Sequence, residues 1–81
     1  MTTTTQARET IRTVLHEVAP DVDLDDCGPD ENLREALDLD SVDFLNFVIG
    51  LHEATGLDIP ERDYDELATP RGCAEYLASR L

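Results

Sequence analysis

The chain has 81 residues, with 19 acidic side chains against six arginines and a net charge of −13. That length suits one small domain with one modest core, and the charge disfavours nucleic acid and anionic lipid while favouring basic protein faces. No apolar run is long enough to span a bilayer and no positively charged leader precedes an apolar stretch, so a cytoplasmic protein without membrane attachment is expected.

Residues 1–5 form a threonine-rich lead expected to be frayed, and residues 6–81 are expected to form a single domain. Ala7, Ile11, Val14, Leu15 and Val18 recur at helical spacing, with Arg8, Glu9, Arg12 and Glu17 on other faces. The spacing predicts an amphipathic first helix that stops before Pro20.

Residues 21–32 read DVDLDDCGPDEN, a Gly-Pro pair without an apolar period. This predicts a long ordered loop of concentrated negative charge, pinned by Leu24. Its acid spacing fails as a calcium loop in either register. Counting from Asp21 puts Asp26 where glycine is required and Asn32 where a bidentate Glu is required; counting from Asp23 puts Cys27 and Arg34 at ligand positions. No metal site is predicted.

A second helix is expected from Ser41 to Thr55, ended by Gly56, which tolerates positive φ. Asp40 is the expected cap and Asp43 the reciprocal partner of a capping box. Phe44, Phe47, Val48 and Leu51 make one apolar stripe, while Val42, Leu45 and Ile49 make another, turned away from it. So small a bundle does not readily cover both, so the second stripe, rimmed by Asp43, Asn46, His52 and Glu53, is expected to stay exposed as a docking patch. The alternative is a central helix buried on every side. Gly50 inside this helix costs ~1 kcal/mol relative to alanine, which close helix approach or internal room would explain.

Beyond Gly56, LDIPERDYDEL supplies Ile59 as an anchor, Pro60 as a turn or helix-start residue, and a short third helix presenting Tyr64 and Leu67. Thr69 then caps a last helix with Pro70 in its first turn and Cys73, Tyr76, Leu77 and Leu81 along its inner stripe. The two cysteines, Cys27 and Cys73, do not make a disulfide framework and are expected to be free thiols. With no period-two alternation, the expected fold class is all-α: a small four-helix bundle with a short third helix and a long loop between helices one and two, as a monomer.

Ser41 stands in the stretch ALDLDSVDFLNF, between acids at a helix start. His52 is eleven residues along the same helix, about 16 Å away at ~1.5 Å per residue, so it cannot serve as a base. The flanking aspartates are weak bases, and the glycine-framed turn of a serine hydrolase is missing. The chain is therefore not expected to be an enzyme or to hold catalytic residues. An exposed serine beside an apolar face suits a hydroxyl acted upon by a partner that brings its own base and metal.

The stretch LDLDSVDFLNFVIGLHEATGLDIPERDYDELATPRGCAEYL resembles the acyl carrier protein family, in which a serine of an Asp-Ser-Leu type motif at the start of the second helix carries 4'-phosphopantetheine. Here the motif reads Asp40-Ser41-Val42, and the resemblance covers residues 33–81 best. It implies that a phosphopantetheinyl transferase moves the arm from coenzyme A to Ser41, and that the carried acyl group is a thioester for fatty acid, polyketide or related biosynthesis. Docking of acyl-transferring, condensing or acyl-activating enzymes is expected at Asp40, Val42, Asp43, Leu45, Asn46, Ile49, His52 and Glu53. An acyl pocket is expected among Phe47, Val48, Leu51, Ile59 and Tyr64. Val42 replaces the usual leucine, and Asn46 and His52 stand where fatty-acid carriers often show acids, which bears on partner choice. Two rival readings remain: an aminoacyl or peptidyl carrier of nonribosomal synthesis, and an unmodified acidic helical adaptor.

Overall fold

The first ordered backbone turn is made by residues expected to be loose. In a computed structural model, which describes residues 2–81, Thr3 caps helix α1 (Thr4–Val18). Its hydroxyl accepts from the Gln6 amide at 3.1 Å, and the Gln6 side chain accepts from the Thr3 amide at 2.9 Å. This capping box satisfies orphan helix donors and places Thr4 and Thr5 inside α1. Met1 lies outside the described residues.

The predicted loop between the first two long helices is present but not structureless. A single 3-10 turn at Leu24–Asp26 buries Leu24 completely, and a short helix α2 (Leu33–Ala36) follows, capped by the Asn32 side chain. Four residues are too few to display a helical period, so α2 leaves no sequence signal beyond its asparagine cap. The chain leaves α2 through Asp38 at φ 54°, a left-handed conformation that aspartate tolerates better than most residues.

Helix α3 (Ser41–Thr55) ends at Gly56 with φ 76°, as its position requires. A 3-10 helix at Glu61–Leu67 takes the place of the third helix, and Thr69, accepting from the Gly72 amide at 3.0 Å, caps α4 (Pro70–Arg80). The described residues form an all-α bundle in which α1 packs on both α3 and α4 and the 3-10 helix packs on α4.

Ile11, Leu15, Leu24, Leu33, Phe47, Leu51, Leu67 and Leu77 fill the core. Each such side chain contributes roughly 1.5–3 kcal/mol when removed from water. Polar ties fix the connections over it: the Leu33 amide donates to Ala68 O at 2.8 Å and the Arg71 amide to Pro29 O at 2.9 Å. Tyr76 Oη donates to Asp63 at 2.8 Å, fastening the 3-10 helix to α4, and the Arg80 guanidinium lies 3.7 Å from the Tyr76 ring centroid. Gly50 is explained by close approach, since Val14 of α1 occupies the space a side chain would need; no internal room is left there.

Candidate functional site

Local sequence builds the start of α3. Asp40 Oδ1 accepts from the Asp43 amide at 2.8 Å, and Asp43 Oδ2 receives the Asp40 amide at 3.4 Å. The cap is thus Asp40, and the hydroxyl of Ser41, the first helical residue, is exposed and not spent on closing the helix. A group bonded to Ser41 Oγ leaves the cap intact, and the positive end of the helix favours a phosphate there. No histidine shares that helix end: His52 lies three turns along α3 and His16 is exposed on α1.

The two apolar stripes of α3 separate as the spacing predicts. Phe44, Phe47, Val48 and Leu51 are buried, whereas Val42 is 62% exposed and Leu45 and Ile49 are each 45% exposed. Asn46, His52 and Glu53 are exposed around the second stripe, Asp40 is exposed at its start, and Asp43 is half-buried by the capping box. The helix is therefore not buried on every side.

The residues expected to line an acyl pocket divide. Val48, Ile59 and Tyr64 line an open groove between α3 and the 3-10 helix, together with Ile49, His52, Asp58, Pro60 and Arg62. Phe47 and Leu51 do not line it; both are wholly buried in the closed core. The physical reason is angular: they sit on the part of α3 covered by the rest of the bundle, while Val48 sits at its edge. Asp58 and Arg62 were missed because they lie on a loop and a 3-10 turn, where no period marks a face.

Phe44 links the two ends of this region, with its ring 6.2 Å from that of Tyr64 in an edge contact and the Arg34 guanidinium 5.9 Å from its centroid. His52 Nδ1 lies 2.6 Å from Leu57 O, so the ring donates from Nδ1 and fixes the turn after α3.

The loop acids are engaged by arginine. Arg12 donates to Asp25 at 2.9 Å and lies 3.5 Å from Asp23, and Arg71 lies 3.1 Å from Asp30. The hydrogen bond from Arg12, then its charge, lowers the Asp25 carboxyl below its ordinary range. Burial pushes the Cys73 thiol up to about 12 and raises that of Cys27, so neither is an available nucleophile at neutral pH.

Residues 7–77 match the family model described as "Phosphopantetheine attachment site". The chain belongs to this family, that of the acyl carrier proteins. It is 30% identical over 73 residues to the acyl carrier protein of Rubrobacter xylanophilus, covering 86% of this chain and 90% of that protein. It is 36% identical over 58 residues to that of Lactobacillus johnsonii, covering 72% of each, and 29% identical over 76 residues to that of Streptomyces coelicolor, covering 94% of this chain and 83% of that one. This acyl carrier family member takes 4'-phosphopantetheine as its cofactor. An exposed serine hydroxyl at a separately capped helix start fits that group. Among the described residues no helix is long and apolar enough to cross a membrane.

Proposed function

We propose that Ser41 is the attachment point of 4'-phosphopantetheine and that the protein carries acyl intermediates for fatty acid, polyketide or related biosynthesis. The observation that carries this reading is the division of labour at the start of α3: Asp40 closes the helix, leaving the adjacent Ser41 exposed for modification. The group supplies a terminal thiol that bears the acyl chain as a thioester.

The chain's own residues do the rest. The α3 amides and helix dipole favour the phosphodiester at Ser41. Val42, Leu45 and Ile49 offer apolar contact to a docked enzyme, while Asp40, Asp43, Glu53 and the surrounding negative charge steer a basic face toward it and Asn46 and His52 tune that contact. A flexible tether raises the effective concentration of the acyl group near a docked partner, so weak and quickly released contacts suffice. The partners are a phosphopantetheinyl transferase, which binds Mg2+ together with coenzyme A, and acyl-handling enzymes. The two buried free thiols, Cys27 and Cys73, suit the reducing cytoplasm.

Intact mass after incubation with coenzyme A, Mg2+ and a broad-specificity transferase tests the reading beside Ser41→Ala. One added phosphopantetheine in the parent and none in the variant is expected. No gain in either, with both folded and several transferases tried, would favour an unmodified adaptor that uses the exposed stripe alone.

A further inference from the structure

Ser41, Leu45, Val48, Ile49 and His52 recur along α3 at spacings that bring them to one face of the helix. The far end of that face is one wall of the groove, and Ile59, Arg62 and Tyr64 belong to the other. Ile49 lies about 12 Å from Ser41 along the axis, at ~1.5 Å per residue. A chain tethered at Ser41 therefore needs only to run down its own helix face to reach the groove.

The lining is not that of a slot for a plain alkyl chain. Arg8 and Arg12 meet Asp25, Arg71 meets Asp30, Arg34 lies over Phe44 and Arg80 over Tyr76. Among the described residues Arg62 alone of the six arginines has no ion pair, hydrogen bond or ring partner, although Glu61, Asp63, Asp65 and Glu66 surround it in sequence. The Tyr64 hydroxyl also has no hydrogen-bond partner among the described residues, while His52 commits Nδ1 to Leu57 O.

We propose that the groove receives the acyl chain carried at Ser41 and selects chains that keep carbonyl oxygens along their length over fully reduced ones, with Arg62 as the specificity-determining donor. The proposal rests on Ser41 as the attachment point. An alkyl chain laid in the groove would draw water from Arg62 and Tyr64 and offer no acceptor in exchange. A chain carbonyl accepts from the guanidinium in a charge-assisted bond while its methylenes lie on Val48, Ile49 and Ile59. The partner reaction supplying such a chain forms carbon–carbon bonds without fully removing the resulting carbonyls.

The test loads the apo protein with two hydrolysis-stable coenzyme A analogues of equal chain length, one with a saturated acyl chain and one with ketones at alternate carbons. The loaded proteins are compared by intact mass and by NMR of backbone amides and arginine Nε–H groups. The keto chain is expected to shift the Arg62 Nε–H and amides of residues 58–64, the saturated chain to leave them near their holo positions, and Arg62→Met, which removes every donor, to abolish the difference in those amides while the helical fold is retained by circular dichroism. Equal shifts from both chains, no groove shift from either, or a keto-specific amide shift that survives Arg62→Met in the folded variant would overturn the proposal. Absence of a mass gain at Ser41 would instead remove the attachment reading on which it stands.

Discussion

Gly50 and Val14 meet where α1 crosses α3: a methyl group added at Gly50 would sit 2.6 Å from Val14 Cγ1. Alanine gains ~1 kcal/mol of helix propensity at this position, but a β-branched valine has little rotamer freedom with which to yield, and overpacking costs typically ~1–3 kcal/mol. Gly50→Ala is expected to lower the melting temperature by several degrees, at roughly 4–8 °C per kcal/mol for a domain of this size. Adding Val14→Ala on top of Gly50→Ala should cost less than the two single losses combined. Simple additivity in thermal melts would show that the contact is not the cause.

The capping box at α3 separates the roles of neighbouring residues. Asp40→Ala removes the acceptor for the Asp43 amide and is expected to cost about 1 kcal/mol. Ser41→Ala, at an exposed hydroxyl not engaged in the cap, is expected to stay within ±0.5 kcal/mol of the parent. Urea titrations of both variants check this; a Ser41→Ala loss as large as that of Asp40→Ala would mean the hydroxyl is structural.

Leu45 is 45% exposed on the face that begins at Ser41. Leu45→Ser should leave stability within ±0.5 kcal/mol while lowering the transferase kcat/KM by about tenfold, equivalent to ~1.4 kcal/mol. Steady-state kinetics against Glu17→Gln, a substitution on α1, reads the effect; equal rates for the two variants would move docking elsewhere.

The Asp25 carboxylate is held low by its hydrogen bond from Arg12 and by that residue's charge. A depressed carboxylate contributes stability above its unfolded value, about 3.9, and that contribution disappears as pH falls through the lower folded value. The difference in melting temperature between the parent and Asp25→Asn should accordingly be present at pH 7 and shrink below about pH 4. A difference that stayed constant to pH 2 would point to packing in place of charge.

With 19 acids against six arginines, self-repulsion opposes the compact state more than isolated surface pairs support it. Raising sodium chloride from about 0.01 M to 0.15 M shortens the Debye length from ~30 Å to ~8 Å, and the apo protein is expected to melt higher. A flat or falling melting temperature would show that the arginine pairs outweigh the repulsion.

The features legible from sequence are those set by neighbours along the chain. Asp40 with Asp43, Thr69 with Pro70, and Gly56 mark helix ends because caps and left-handed turns use backbone groups within a few residues. The exposed second stripe of α3 was legible too, because its angular separation from Phe44, Phe47 and Leu51 follows from the helical repeat. The Thr3–Gln6 box was equally local; the threonine-rich composition obscured it.

Tertiary structure decided everything that depends on which surface covers which. Phe47 and Val48 are adjacent, equally apolar and both buried, yet only Val48 borders the groove, because successive residues of α3 point in different directions around the helix and the bundle opens only on the side Val48 faces. Asp58, Arg62 and Tyr64 reach His52 and Ile49 only after the chain reverses at Gly56. Capping and helical periodicity are short-range and therefore written in residue order, whereas the groove is made where two segments meet, and its position depends on the packing of the whole bundle.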